Sequence, residues 1–273
     1  LGAGHWSMLA ISWRKQILDT EQLVTLRLHG KIAIVSLNRP DRHNALVPAL
    51  LSRLLEILEH NDCQNAAVVI LRAEGRSFST GGDLGWFQDH RDTIGAYARE
   101  LVGKLNQVIL ALYTHPAFIV CAVHGQVTGG ALGLLLASDR VIMHRDASIT
   151  PYYSVVGFSP DGGWTAMLPD IIGRQQSMSW LAANTSNDAD TCQVLGLAHQ
   201  VVEGDCDSHA LHWAEKVTGH KKSSITRTRK LLNTGIECLH QRLEAERENF
   251  VNQVQTRQAL EGIDSFLRRK EHV

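Results

Sequence analysis

From Leu23 onward the apolar and polar positions alternate between two periodicities. LVTLRLHGKIAIVSLNRP reads as two β runs, Leu23 to Leu28 and Ile32 to Leu37, turned back at His29-Gly30-Lys31, which predicts a hairpin. A polar loop over Asp41 to Asn44 follows. From Leu46 the residues Leu50, Leu51, Leu54, Leu55 and Leu58 then recur at helical spacing up to His60. AAVVILRA is an unbroken apolar run of the kind that a strand buried on both faces of a parallel sheet requires. It leads into the glycine-rich GRSFSTGGDL and then a helix expected over about Val102 to Tyr113. A third cycle runs through the strand AFIVCAVHG, the loop GQVTGGALG, the helical LLLAS and the strand RVIMH. Strands alternating with helices predict an α/β core whose ligands gather where loops leave the carboxyl ends of the strands. From about Ser208 the pattern is helical, in HALHWAEKV, SITRTRKLLN, CLHQRLEAERENFVNQV and EGIDSFLRRK.

Composition narrows the function classes. The chain has 273 residues, 44% hydrophobic and 20% charged, enough for a sizeable buried core. Lys plus Arg number 27 against 28 for Asp plus Glu, so no overall field favours nucleic acid or an anionic membrane, and a charged ligand must be held locally. Cys63, Cys121, Cys192, Cys206 and Cys238 show no C-x-x-C spacing, which points to a reducing compartment and, with KEHV at the end rather than S-K-L, to the cytoplasm. His209 and His212 sit three apart with no third ligand in view, so no metal is expected. Ala117 to Met143 is apolar, but His124, Gln126, Thr128, four glycines and Asp139 interrupt it, against a membrane span. The opening LGAGHWS, residues 1–7, reads as a vector-derived remnant and is set aside.

Two glycine clusters follow two buried strands, FSTGGDL at Phe78 to Leu84 and HGQVTGGALG at His124 to Gly133. Glycine permits close backbone approach, so N–H groups from both loops can converge on one oxygen, and the second cluster runs into a helix whose amino end favours negative charge. The spacing excludes G-x-G-x-x-G, the Gly-Lys-Ser/Thr of a P-loop and the G-x-S-x-G of a nucleophile elbow. Tight helix–strand packing accounts for any single glycine equally well. The stretch GFSPDGGWT, Gly157 to Thr165, has the same ambiguity. Ser-Pro-Asp-Gly suits a β-turn, and it also offers Asp161 as an acid/base.

From about Leu23 to Lys270 the chain resembles the crotonase superfamily of enoyl-CoA hydratases and isomerases. The blocks that carry the likeness are LNRPDRHNAL, RSFSTGGDL, AVHGQVTGGALGLLLASDRVIM, VVGFSPDGGWTAMLPDIIG and EGIDSFLRRK, in that family's order. The resemblance implies an α/β spiral of ββα turns over residues 8–207, a helical C-terminal region over 208–273 that assembles subunits, and trimers or dimers of trimers. It implies an acyl-CoA thioester as substrate, with CoA entering as part of that substrate and no separate cofactor or metal. It also places an oxyanion hole at the amides of Gly82 and Gly130. CoA would lie along Arg42, Asn44 and Ala45 and along Ser79, Thr80, Gly81, Asp83 and Leu84. Arg268, Arg269 and Lys270 would meet the 3′-phosphate of CoA bound to a neighbouring subunit.

The chain departs from the hydratases where their two catalytic glutamates fall, with Gly133 and Tyr153 in those places. Glycine transfers no proton, and a Tyr hydroxyl of ordinary pKa near 10 is a poor base at neutral pH, better suited to a wall or a hydrogen-bond donor. Asp161 stands where several isomerases of that family carry their single acid/base. The resemblance thus favours an isomerase moving a β,γ double bond to α,β. A hydratase and a CoA-binding protein without turnover are the alternatives. Acyl-pocket walls are expected from Trp86, Phe87, Tyr152, Phe158 and Trp164.

Overall fold

The computed structural model describes residues 23–270, apart from the side chains of Arg269 and Lys270, so the expected phosphate contact of Lys270 lies outside the described residues. The strands are β1 (Val24–His29), β2 (Ile32–Leu37), β3 (Val68–Ala73), β4 (Phe118–Val123), β5 (Gln126–Thr128), β6 (Arg140–His144), β7 (Ser148–Thr150), β8 (Asn187–Asp188) and β9 (Gln200–Val202). Six of them form one sheet in the order β1-β2-β3-β4-β6-β9. The β1–β2 hairpin is antiparallel, with Leu26 opposite Val35, and every later pair in that sheet is parallel. All six residues of β2 are buried, as a strand covered on both faces requires.

A second, smaller sheet is ordered β5-β7-β8. Single parallel bridges extend it, Leu46 with Gly82 and Ser79 with Val127. Each turn of the chain therefore lays one strand into the large sheet, a short segment into the small one, and then a helix. This is the ββα spiral that the resemblance implies, and two of the short segments, residues 79–82 and β5, lie in the glycine clusters.

Helix Pro48–Glu59 buries Leu50, Leu51, Leu54, Ile57 and Leu58 on the anticipated stripe. The next long helix spans Ile94–Thr114, two turns earlier than the expected start at Val102. Its first turns bury Ile94, Tyr97, Ala98 and Leu101, but the small Ala98 within that stripe and Gly95 and Ala96 beside it weaken the 3.6-residue signal there.

The C-terminal helices form one body with the spiral. Helix Cys206–Thr218 covers one face of the large sheet, where Ala210, Ala214 and Val217 pack on Val68, Val120 and Ile142. On the other face, helix Ile236–Val254 lies along Ile94–Thr114, joined by a hydrogen bond from Asn106 Nδ2 to the Leu243 carbonyl at 3.1 Å. Helix Lys222–Leu232 is tied to the sheet by Arg229, buried, whose Nε donates to Asp139 Oδ2 at 2.6 Å and whose Nη2 donates to the Leu112 carbonyl at 3.2 Å. Among the described residues no helix is long and apolar enough to cross a membrane.

Candidate active site

A cavity of about 960 Å³ opens where the loops after β2, β3 and β4 meet, bounded on its far side by the C-terminal helices. Gly81, Gly82, Gly129 and Gly130 all face it. Gly81 has φ +69°, and a Cβ there would stand 2.6 Å from the Thr128 carbonyl oxygen, so only glycine lets the two loops approach this closely.

Each loop aims one N–H by fixing the carbonyl before it. The Leu46 N–H donates to the Gly81 carbonyl at 2.7 Å, and the Trp164 indole Nε1 donates to the Gly129 carbonyl at 2.8 Å. In a trans peptide the C=O and the following N–H point in opposite directions, so the amides of Gly82 and Gly130 are turned away from those partners. Among the described residues neither N–H donates to a protein acceptor. Gly130 also lies in the first turn of a 3-10 helix, Gly129–Ala131, where no intrahelical acceptor precedes it. Two such donors can hold an oxygen that becomes negative.

Asp161 stands over this pair. Both its carboxylate oxygens lie 3.0 Å from the position a Cβ would take on Gly130, and Gly162 approaches the same backbone, its own Cβ position being 2.5 Å from the Gly130 Cα. The side chain is 7% exposed. Among the described residues its one side-chain hydrogen bond comes from Tyr153, whose hydroxyl donates to Oδ1 at 2.5 Å. Burial pushes the Asp161 pKa up to about 7; the Tyr153 hydrogen bond opposes the rise and the nearby Glu246 charge adds to it. Burial, together with the Asp161 charge, holds the Tyr153 pKa well above its ordinary value, so Tyr153 remains a phenol that donates. A carboxylate that titrates near neutrality in an apolar site is suited to take up and return a proton.

Phe87, Tyr152 and Phe158 line the cavity as expected, and Phe250 and Phe266 from the C-terminal helices complete that wall. Phe158 and Phe250 meet edge to face at 5.1 Å. Trp86 does not take part. It is 40% exposed and stacks on His90 instead, because helix Leu84–Asp89 turns Phe87 inward and its neighbour outward. Trp164 is fully buried behind Gly129 and is likewise no wall.

The mouth carries Arg42, His43 and Arg76, with Ala45, Thr80 and Leu84 along its edge. Asn44 and Ser79, expected to touch CoA, are fully buried and do not face the cavity. Asn44 Nδ2 donates to the carbonyls of Glu74 and Ser77, both at 2.8 Å, and Ser79 Oγ donates to the Asn44 carbonyl at 2.7 Å, so both side chains are spent on shaping the loops. Asp83 lines the cavity but is held between Arg39 at 2.8 Å and Arg42 at 3.0 Å. Burial alone would raise its pKa, yet the hydrogen bonds from Arg42 and Arg39 keep it below the ordinary carboxylate range. Its side chain also accepts from the Gly85 N–H at 3.1 Å as the amino-terminal cap of helix Leu84–Asp89.

The profile of the enoyl-CoA hydratase/isomerase family matches residues 27–273. The chain belongs to that family. Among curated relatives, a Bacillus subtilis protein named for enoyl-CoA hydratase/isomerase, YhaR, is 28% identical over 251 residues, 92% of this chain and 98% of its own length. A 4-chlorobenzoyl coenzyme A dehalogenase of Arthrobacter is 28% identical over 180 residues, 62% of each chain. The solved enoyl-CoA hydratase of Bacillus halodurans superposes with a TM-score of 0.83 at 26% identity, covering 89% of this chain and 99% of that one. The family fold thus accommodates differently named acyl-CoA chemistries, and the side chains at the site must separate them.

In this member of the family, the residues that sequence reasoning missed are those supplied from a distance. Glu246 is buried on helix Ile236–Val254 and binds the loop just after Asp161. It lies on the same stripe as Leu239, Leu243 and Phe250, and a carboxylate on an otherwise apolar face was the available signal. Arg39, which pairs with Asp83, had no such signal.

Proposed function

We propose that the protein is an enoyl-CoA isomerase that shifts a β,γ double bond of an acyl-CoA thioester to the α,β position. In this reading the thioester oxygen is held by the N–H groups of Gly82 and Gly130, and the Asp161 carboxylate removes a proton from C2. The electron pair moves onto that oxygen as a dienolate, and Asp161 then returns the proton at C4. One preorganised donor of this kind is typically worth roughly 3 kcal/mol of barrier. The aromatic wall of Phe87, Phe158 and Phe250 would take the acyl chain, and the basic mouth at Arg42 and Arg76 the CoA phosphates.

The observation that carries the reading is the isolation of one carboxylate. Asp41, Asp83 and Asp161 are the acidic residues lining the cavity; Asp41 is exposed at the mouth and Asp83 is neutralised by two arginines. One group that both accepts and returns a proton is sufficient for an isomerisation, in which water is not a reactant. Hydration is the second reading, favoured by the names of relatives such as the short-chain-enoyl-CoA hydratase of Clostridium acetobutylicum. Against it, a Cβ on Gly133 would stand 2.5 Å from Ile109 Cδ1 and 2.6 Å from the Gly162 carbonyl oxygen, so that position has no space for a second acid. Incubation with 3-hexenoyl-CoA and 2-hexenoyl-CoA separates the readings. Conjugated enoyl thioester formed from the first supports isomerisation, 3-hydroxyacyl product from the second supports hydration, and binding without change supports a non-catalytic protein.

Association into trimers or pairs of trimers belongs to the same proposal. Val194, Leu231 and Leu232 are 88%, 76% and 75% exposed in the single chain, apolar surface that subunit contact would cover.

A further inference from the structure

Glu246 is 4% exposed, and the whole environment of its carboxylate is made of donors. The Gly163 N–H reaches Oε2 at 2.8 Å, while Oε1 accepts from the Thr165 N–H at 2.6 Å, the Thr165 hydroxyl at 2.7 Å and the Ala166 N–H at 2.9 Å. Three of these are backbone amides of the turn that begins two residues after Asp161. Burial raises the Glu246 pKa, and the four converging donors oppose that rise and favour the ionised form, because a carboxylic acid proton would face another donor. A buried charge held only by a loop costs stability unless all its hydrogen bonds are made, so its retention behind the site calls for a role.

We propose that Glu246 is a positioning residue that builds the turn carrying Asp161 and, through its own negative charge, makes Asp161 a stronger base. The proposal rests on Asp161 being the proton carrier of the isomerase reading. Two effects follow from the one side chain. The amides of Gly163, Thr165 and Ala166 are drawn onto helix Ile236–Val254, which fixes Gly162 against Gly130 and so sets Asp161 above the two cavity-facing amides. The charge, sharing a low-dielectric site with Asp161, disfavours a second negative charge there.

The groups that bear on Asp161 can be enumerated among the described residues. Helix Tyr153–Val156 presents the Tyr153 hydroxyl and helix Ile236–Val254 presents Glu246. The turn Gly129–Ala131 carries no titratable side chain, and helix Ile94–Thr114 offers Leu101 and Leu105 to the cavity. Near Glu246, Arg242 is paired with Asp170 at 3.0 Å and Arg247 with Glu244, so neither cation neutralises it.

The test titrates Asp161 without any turnover, in protein labelled with ¹³C at aspartate Cγ, the Asp161 signal being assigned by its loss in Asp161→Asn. In Glu246→Gln the Asp161 midpoint is expected to fall by at least half a pH unit, and the acid limb of kcat/KM on 3-hexenoyl-CoA to move down with it. In Glu246→Asp, which keeps the charge but shortens the reach, the midpoint should stay near the parental one while kcat falls several-fold. A parental midpoint in Glu246→Gln overturns the proposal, since a merely structural tie would lower activity without moving the titration. Should the Gln variant fail to fold, ¹³C-glutamate labelling of the parent decides. Glu246 must remain ionised below the Asp161 midpoint, and uptake of its proton at or above that midpoint overturns the proposal. A parent that titrates as expected but leaves 3-hexenoyl-CoA unchanged would sink the isomerase reading and not the charge coupling.

Discussion

The Tyr153 hydroxyl meets Asp161 at two acceptors, Oδ1 at 2.5 Å and the backbone carbonyl at 3.1 Å. One residue thereby fixes both the rotamer of the carboxylate and the peptide that carries it. Oδ2 has no hydrogen-bond partner among the described residues and faces the Gly130 backbone, which leaves it as the oxygen open to a substrate proton.

Asp161→Asn is the direct test of that assignment. Asn is nearly the same shape, is favoured in turns and can still accept from Tyr153, so the fold and the affinity for acyl-CoA should change little. Turnover of 3-hexenoyl-CoA should fall by ~10²-fold or more, as for loss of general acid/base catalysis. A variant that retained more than about a third of the parental kcat/KM, a loss under 1 kcal/mol, would show Asp161 to be a turn residue.

Tyr153→Phe separates orientation from proton transfer. Donation from Tyr153 favours the ionised carboxylate and lowers the Asp161 pKa, which burial raises to about 7. Removing the donor should therefore raise that pKa further and move the acid limb of kcat/KM to higher pH, with activity at pH 7 down several-fold but recovering toward pH 9. Were Tyr153 itself the base, no pH would restore the activity. A pH–rate profile of the two proteins distinguishes these outcomes.

The strands and the placement of the glycine loops were legible because buried parallel strands leave long apolar runs such as AAVVILRA and VCAV, and the loops between them must be polar or glycine-rich. The two turns of helix before Val102 were not, because Gly95 and Ala96 contribute almost nothing to a hydrophobic stripe. At the site, residue type was a poor guide to direction. Asn44, Ser79 and Asp83 are ligand contacts by the family resemblance, and in the fold the side chains of the first two turn inward to backbone groups while the third pairs with Arg39 and Arg42. The hairpin and helix periods depend on neighbours along the chain. The contacts of Glu246 and Trp164 depend on partners 80 and 35 residues away, which no local pattern encodes.

Trp164 acts on the chemistry through one bond. Trp164→Phe keeps an aromatic ring in the buried edge-to-face contact with Trp180, at 5.0 Å, but deletes the donor that pins the Gly129 carbonyl. The peptide is then free to rotate the Gly130 N–H out of line. Because Trp164 does not face the cavity, KM for the acyl-CoA should hold while kcat drops by ~10-fold, less than the ~10²–10³ for outright loss of an oxyanion donor. Trp180→Phe is the control. Its indole donates to the Thr185 carbonyl and not to that of Gly129, and its kcat should stay within about twofold of the parent.

Stability should reveal the cost of the same carboxylate. The folded protein raises the Asp161 pKa from an ordinary 3.8 to about 7, so the folded state binds this proton more tightly than the unfolded chain does. The sign follows from linkage: the stabilising contribution is complete below about pH 4 and is lost as pH rises through about 7, where a charge must be held in an apolar site. At ~1.4 kcal/mol per pKa unit the ceiling is ~4 kcal/mol, and relaxation around the charge reduces what is measured to about 1–3 kcal/mol. Asp161→Asn carries no charge at any pH. At pH 8 it should therefore unfold at a higher temperature than the parent, by several degrees at ~2–4 °C per kcal/mol for a domain of this size. Near pH 4.5, where the parental carboxyl is protonated in the fold, the gap should largely close. Thermal melts of both proteins across that range decide it, and a variant less stable than the parent at pH 8 would mean that the Asp161 charge is compensated in the fold.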